Sequence, residues 1–275
     1  MFTRCKPLLG TLVEITVPEA AAGAVDGAFA VIAKVHARMS FHADDSDLAL
    51  LRKAHPGMTV EVAPETVEVL RIALDFYRDS NGLFDVTIGR ELVRSGFLPQ
   101  PEGSIWSRHQ GTSADIEIVD DYRVRCHKPM LIDLGGIAKG FAVDRAIEVL
   151  QAARVTEGLV NAGGDLRMFG VRKWTVGLRD SDGAVRTSIA LADCAIASSS
   201  NFGNRRKRFG RLQTPHIGAD RLPIAIPGRV SVISERCVFA DALTKVAIAA
   251  PDAAEGMMKR YAGKILAEPC MGWAA

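Results

Sequence analysis

The sequence predicts an α+β fold with mainly antiparallel sheets, and three observations support this. Helix and strand signals interleave along the chain without a repeating unit. The strands are short and most are separated by turn residues, which favours antiparallel pairing. No linker clearly divides the 275 residues. We therefore expect a single domain over residues 1–275, which could consist of two closely packed subdomains.

The first part of the chain is predicted to be helical after one opening strand. The strand covers about residues 11–17, and Ser46 or Asp45 can cap a short helix that follows a loop. Pro64 is typical of a helix start, and Ser80-Asn81-Gly82 of a helix end. Three helices are therefore predicted here, namely Ala20–Met39, Asp47–Ala54 and one from Pro64 to about Ser80.

After Gly96 the pattern changes to strands. These are predicted at Ala114–Val119, Arg123–Cys126, Met130–Asp133, a stretch ending in Val160 to Asp165, Trp174–Leu178 and Thr187–Leu191. Two helices are expected in this part, at Ala138–Ala152 and from near Phe239. The irregular stretch from Asn201 to Pro227 is predicted to be a long surface loop.

Composition argues against a dedicated nucleic-acid binder. The chain is 48% hydrophobic and 24% charged, with a formal net charge of +2, whereas a dedicated nucleic-acid binder usually carries a basic excess. The one basic cluster, Arg205 to Arg208 with Arg211, is interpreted as a solvated loop. We expect no nucleic-acid partner.

Cysteine usage and the apolar stretches predict the compartment. The five cysteines are scattered and form no metal or disulfide motif, which suits a reducing environment. No secretory apolar region precedes the first strand, and no stretch is predicted to be long enough to span a bilayer. The expected location is cytoplasmic.

The segment from Met130 to Asp144 has the features of a phosphate-binding turn. Gly135 and Gly136 let backbone N–H groups approach an anion, a helix N-terminus follows, and Lys139 adds a full charge. Asp133 would bind a hydroxyl, a ring N–H or a metal ion. The segment matches neither the Walker loop nor the dinucleotide fingerprint. The alternative is a tight turn whose Lys139 and Asp144 point into water.

Six motifs in order along the chain resemble the ApbE family of FAD:protein FMN transferases. They are Leu9-Gly10-Thr11, Ser40-Phe41-His42 with Asp45 to Leu48, Gly82 to Gly89, Ile132 to Asp144, Val160 to Asp165, and Ala240 to Thr244. The resemblance spans nearly the whole chain. It implies an ApbE-like, T-fold-like arrangement of mixed, mainly antiparallel sheets flanked by helices.

The resemblance also implies an activity. Members are magnesium-dependent transferases that split the pyrophosphate of FAD and attach FMN through a phosphoester to a threonine of a target flavoprotein, with release of AMP. Such chemistry needs charge neutralisation and an in-line nucleophile. The implied cofactor is Mg2+, the substrate is FAD, and the partner is an acceptor flavoprotein with a threonine-containing segment.

Site residues follow from the resemblance, position by position. Those implied to bind FAD are Leu9, His42, Leu83, Phe84, Asp85, Asp133, Lys139, Gly163, Gly164 and Ile217. The implied metal ligands are the Gly136 carbonyl, Asp241 and Thr244. The implied catalytic residues are Asp241 and His216, whose imidazole suits a general base for a threonine hydroxyl.

The residues also allow less specific interpretations. Asp133 could cap a turn, Phe84 could belong to the core, and Asp241 could cap a helix. Family members commonly carry a hydroxyl four residues after the metal aspartate, but that position is Lys245 here. Lys245 could contact the FAD phosphates or weaken metal binding by repulsion. A non-catalytic FAD-binding module and an FAD pyrophosphatase without acceptor transfer therefore stay open.

Overall fold

The computed structural model describes residues 1–103, 105–179, 183–200, 204–208, 210–224 and 229–266. Within these residues there are seven α-helices and fourteen strands, and every strand ladder is antiparallel. The prediction of an α+β fold with mainly antiparallel sheets is confirmed.

The helices of the described residues are α1 Val25–Met39, α2 Asp47–Lys53, α3 Pro64–Asp79, α4 Gly89–Ser95, α5 Ala138–Ala152, α6 Cys237–Ala249 and α7 Pro251–Arg260. Short 3-10 helices cover Glu19–Ala24, Trp106–Arg108 and Ser113–Asp115. The predicted bounds of α5 are confirmed at both ends. Ser46 is the N-cap of α2, since its Oγ accepts a hydrogen bond of 3.1 Å from the Ala49 N–H.

The strands are β1 Phe2–Leu8, β2 Thr11–Val17, β3 Thr59–Glu61, β4 Ile116–Ile118, β5 Arg123–Cys126, β6 Gly158–Ala162, β7 Asp165–Phe169, β8 Trp174–Arg179, β9 Val185–Leu191, β10 Ala195–Ser200, β11 Arg206–Arg208, β12 Arg211–Gln213, β13 Arg229–Ser234 and β14 Lys264–Leu266. Seven of them form one sheet in the order β1-β2-β6-β7-β10-β13-β14. A three-stranded sheet has the order β3-β5-β4, and β8-β9 and β11-β12 are two-stranded.

The chain divides into two compact units. The first covers residues 1–34, 139–203 and 226–275 and holds the seven-stranded sheet, the β8-β9 pair, α6, α7 and almost all of α5. The second covers residues 35–138 and 204–225 and holds the three-stranded sheet, the β11-β12 pair and α2 to α4. A boundary falls between Ala138 and Lys139, inside the first turn of α5.

Helix α6 carries buried polar residues into the core of the first unit. Helix α6 packs on β10 and β13 and is buried along most of its length, which matches its nearly continuous apolar sequence. Asp241 and Thr244 are polar residues of that helix, and both are completely buried. Buried polar groups of this kind require partners, because an unpaired one would lose its hydration without compensation.

Several predicted elements are corrected. Met130–Asp133 is not a strand. Its backbone hydrogen bonds to an earlier segment include Asp133 N–H to Val86 O (2.7 Å) and Gly89 N–H to Leu131 O (3.1 Å). The elements that were not predicted are helices α4 and α7 and strands β1, β3, β7, β10, β13 and β14. The predicted loop from Asn201 to Pro227 contains the β11-β12 hairpin; residues 201–203, 209 and 225–227 of this stretch lie outside the described chain.

One helical segment of the described chain, Glu19–Met39, is long and apolar enough to cross a membrane by length and composition alone. This differs from the prediction that no stretch is long enough to span a bilayer. It begins as a 3-10 helix, and α1 follows from Val25. The buried residues of α1 include Phe29, Ile32 and Val35, three residues apart, as in a helix that packs one face on a protein core. The absence of a membrane span stays a prediction.

Candidate active site

The predicted site residues fall in both units. The first unit carries Leu9, Lys139, Gly163, Gly164, Asp241 and Thr244. The second carries His42, Leu83, Phe84, Asp85, Asp133, Gly136, His216 and Ile217.

In the first unit, an ammonium group lies among four oxygen atoms. Lys245 Nζ donates to Ser199 Oγ at 2.7 Å, to Asp241 Oδ1 at 2.8 Å and to Thr244 Oγ1 at 2.9 Å, and it lies 3.3 Å from the Asp241 carbonyl oxygen. We call Ser199, Asp241, Thr244 and Lys245 the Lys245 cluster. Thr244 lies one residue before the position at which family members carry a hydroxyl. It is still part of the Lys245 cluster, and its Oγ1 donates to the Asp241 carbonyl at 2.7 Å.

The second oxygen of Asp241 is engaged as well. Asp241 Oδ2 accepts a hydrogen bond of 3.2 Å from the N–H of Gly140, in the first turn of α5. A side chain at Gly140 would place its Cβ 2.4 Å from the Cys237 carbonyl oxygen, so only glycine permits this approach of α5 to α6. Asp241 therefore bridges the two helices.

Electrostatics keep Asp241 ionised. Its burial works to raise the pKa, but the charges of Lys245 and Lys139, with the hydrogen bonds from Lys245 and Gly140, outweigh burial and hold the pKa of Asp241 below its usual value. The cluster thus contains a fully buried carboxylate that is stabilised by positive charge.

Lys139 has a carboxylate partner of its own. Its ammonium hydrogen-bonds to Asp165, which is buried at the first position of β7. Burial lowers the pKa of Lys139, the charge of Asp241 opposes this, and the charge of Lys245 lowers the pKa further. The alternative in which Asp144 points into water is wrong, because Asp144 is fully buried and accepts from Arg167 Nη1 at 2.8 Å.

The residues around Asp241 do not fit a magnesium ion as they stand. Oxygen ligands suit magnesium, but it requires them at about 2.0–2.1 Å in octahedral geometry. Here the hydroxyl, carboxylate and carbonyl oxygens already surround an ammonium. Among the described residues, no group of three or more His, Cys, Asp or Glu side chains could hold a metal ion.

Gly163 and Gly164 form the two-residue turn between β6 and β7. Their φ angles are +67° and +104°, which glycine adopts readily, and a Cβ at Gly163 would lie 2.4 Å from Thr11 Oγ1. Both glycines line a cavity of about 540 Å³ together with Asn161 and Arg229. Leu9, with φ +55°, belongs to the corresponding turn between β1 and β2.

In the second unit, Asp133 forms the turn-capping arrangement that its sequence also allowed. Its Oδ2 accepts from the N–H of Gly135 at 3.2 Å. Burial raises the pKa of Asp133 to about 6, although the Gly135 hydrogen bond and the charge of His42 work in the opposite direction. Gly136 follows in the same turn, and the side chain of His42 is exposed.

Asp85 has internal partners at both oxygens. Oδ1 accepts from Thr87 Oγ1 and Ser113 Oγ, each at 2.8 Å, and Oδ2 accepts from Arg221 Nη2 at 2.5 Å. Arg221 has a left-handed backbone, with φ +61°. The described contacts of Asp85 thus connect the segment after α3 to the segment that carries His216.

The remaining predicted residues lie in mixed environments. Phe84 packs against Phe76, with ring centroids 5.6 Å apart, and is buried as a core residue. Leu83 beside it is partly exposed. Ile217 is buried and forms an isolated bridge with Pro223, and the carbonyl of His216 accepts from the Ile224 N–H at 2.8 Å. The roles assigned to these residues stay predictions.

Sequence reasoning missed three residues, namely Asp165, Ser199 and Arg221. Asp165 is the last residue of the Val160 to Asp165 motif, and that position is the signal that could have identified it as the partner of Lys139. Ser199 belongs to none of the six recognised motifs. Arg221 gave no local signal, because its partner Asp85 is 136 residues away in the sequence.

A sequence model of the ApbE family matches residues 9–267. Several similar proteins are named FAD:protein FMN transferase. The one from Treponema pallidum (strain Nichols) is 26% identical over 242 residues, which are 76% of this chain and 67% of that protein. The one from Haemophilus influenzae is 26% identical over 214 residues, which are 69% and 62% of the two chains. This chain thus covers about two thirds of their length.

Solved structures show the same fold. The ApbE protein of Thermotoga maritima aligns with a TM-score of 0.84 at 25% identity and covers 98% of this chain and 97% of its own. The apo form of the Pseudomonas stutzeri flavinyl transferase ApbE gives 0.79 at 22% identity, with coverages of 94% and 88%. Since the family model matches nearly the whole chain, the protein belongs to the ApbE family.

Proposed function

We propose that this protein is an FAD:protein FMN transferase. It cleaves FAD and attaches FMN through a phosphoester to a threonine of a target flavoprotein, and AMP leaves. Membership of the ApbE family and the names of the similar proteins support the flavin transfer. The observation in this chain that best supports it is a pair of ammonium groups near the N-terminus of α5: Lys139 lies in its first turn, and Lys245 binds Asp241, which accepts from Gly140 of that turn.

This arrangement suits a pyrophosphate. The two bridging phosphates of FAD each carry a negative charge, and phosphoryl transfer needs that charge neutralised. The side chains of Lys139 and Lys245 are 31% and 21% exposed, so both can be reached by a ligand. The 15-residue helix α5 adds the positive end of its dipole. In this proposal Asp241 positions Lys245 and does not itself contact phosphate.

The transfer step balances without a further reactant. The threonine oxygen of the acceptor forms a bond with the phosphorus of the FMN half, and the bond from that phosphorus to the AMP phosphate oxygen breaks. The hydroxyl proton passes to a base, for which His216 is the candidate. No step is assigned to magnesium, because the oxygens of the Lys245 cluster do not fit it.

The proposal is tested with purified protein, FAD and an acceptor domain that carries the threonine. We expect fluorescent flavin covalently bound to the acceptor, one AMP per transfer, and neither product with a threonine-to-valine acceptor. Release of AMP without labelled acceptor would indicate an FAD pyrophosphatase. FAD binding without AMP release would indicate a non-catalytic FAD-binding module. This is the second candidate function, because Asp241 is already paired with Lys245.

We also propose a cytoplasmic location, which fractionation of cells that produce the protein would test.

A further inference from the structure

The Lys245 cluster offers the kinds of oxygen that a hard cation prefers, but it already holds a cation. A carboxylate, a backbone carbonyl and two hydroxyls surround the ammonium at 2.7–3.3 Å. These are hydrogen-bond distances for an ammonium group. A divalent ion could use the same oxygens only if Lys245 moved away.

The packing of the cluster holds the ammonium in place. Asp241 and Thr244 are completely buried and Ser199 is nearly so. Ser199 Oγ and Thr244 Oγ1 are 2.8 Å apart and hydrogen-bond to each other, so strand β10 and helix α6 both contribute to the cluster. Lys245 lies four residues after Asp241 on α6, the spacing that places two side chains on one helix face.

The charges around the cluster are balanced without a metal. Asp241 is paired with Lys245, and Asp165 is paired with Lys139. No surplus negative charge is left between these two pairs to attract a divalent ion, and each ammonium would repel one. The two lysines are partly exposed, so their ammonium groups lie within reach of an anionic ligand.

We propose that the ammonium of Lys245 is the built-in cation of this site, so that the protein binds and cleaves FAD without a divalent metal. The inference rests on the proposed function for the identity of the ligand. One part of it does not depend on that function: Lys245 excludes divalent ions from the oxygens of Ser199, Asp241 and Thr244.

The first experiment needs no flavin. Mn2+ is titrated into the full chain and free Mn2+ is followed by electron paramagnetic resonance, for the parent protein, Lys245→Thr and Lys259→Thr. Lys259 is an exposed lysine of α7, so its variant controls for the loss of one charge. We expect Lys245→Thr to bind Mn2+ at least tenfold more tightly than the other two. Equal binding by the parent protein and Lys245→Thr would overturn the proposal.

The second experiment uses the parent protein alone, so its result does not depend on the folding of any variant. FAD binding is followed by fluorescence, and AMP release is measured, in EDTA and in excess magnesium. We expect both measurements to agree within threefold between the two conditions. Loss of FAD binding or of AMP release in EDTA would overturn the proposal. Absence of FAD binding in both conditions would overturn the proposed function, while the Mn2+ titration would still report whether Lys245 excludes divalent ions.

Discussion

Asp144 and Asp241 each cap the helix on which the other lies. Asp144 of α5 accepts from the N–H groups of Cys237 and Val238 at 2.9 and 3.0 Å, at the start of α6. Asp241 of α6 accepts from Gly140 at the start of α5. Two positive helix ends would otherwise meet unfavourably. The exchange of carboxylates stabilises the contact and holds Lys139 and Lys245, on the same two helices, near each other.

Asp144→Ala should strongly destabilise the protein. The substitution removes the cap of α6 and leaves Arg167 without its buried partner, a change that typically costs about 3–5 kcal/mol. The free energy of unfolding is measured by urea titration. Asp252→Ala, an exposed acidic residue in the first turn of α7, is the control and should cost less than about 1 kcal/mol. Similar losses in the two variants would contradict the capping role.

Gly140→Ala and Gly256→Ala form a matched pair of helix substitutions. At Gly140 the new Cβ would overlap the Cys237 carbonyl, whereas at Gly256 nothing lies within 4 Å. Gly256→Ala should stabilise α7 by about 0.5–1 kcal/mol through helix propensity. Gly140→Ala should destabilise the protein and weaken FAD binding, because α5 must move away from Asp241. Thermal unfolding and FAD titration report both effects, and a stabilised Gly140→Ala variant would refute the close approach.

Lys139→Ala should weaken the binding of FAD but not of riboflavin. A charge-assisted hydrogen bond to phosphate is worth about 1–3 kcal/mol, and riboflavin has no phosphate. Lys173→Ala removes an exposed lysine of the same unit and should leave both affinities unchanged. Dissociation constants from fluorescence titration decide the matter. An equal loss for riboflavin would mean that Lys139 acts on the fold through Asp165.

Asp133 should make a measurable contribution to the pH dependence of stability. Its pKa is about 6 in the folded protein against 3.8 for the free side chain, so the folded state keeps a proton that the unfolded state has released. Stability from this group therefore falls as pH rises between about 4 and 6. Relative to the parent protein, Asp133→Asn should gain stability across that window and show a constant difference above it. Urea midpoints at several pH values test this, and a difference independent of pH would contradict it.

Local sequence signals were sufficient to predict the elements whose start and end depend on their own residues. Pro64 and the Ser80-Asn81-Gly82 ending predicted α3, and the glycine pair before Ala138 predicted the start of α5. The order of the motifs was also sufficient to identify the family. Each motif alone is a weak signal, but the same motifs in the same order are specific. Strand β1 was not predicted, because its residues alternate between half-buried and exposed positions and its sequence therefore has only a weak apolar pattern.

Only the tertiary structure decided the chemistry at Asp241. From the sequence, Lys245 could contact phosphate or weaken metal binding by repulsion. The structure places its ammonium against Ser199, 46 residues earlier in the chain, and against an Asp241 that is completely buried. That contact depends on how α6 packs on β10, and no local pattern encodes it. The sequence by itself determined the family and the elements with strong local signals, such as α3 and α5. The packing of distant segments decided which charges are paired, because pairing depends on distances of about 3 Å between groups far apart in the chain.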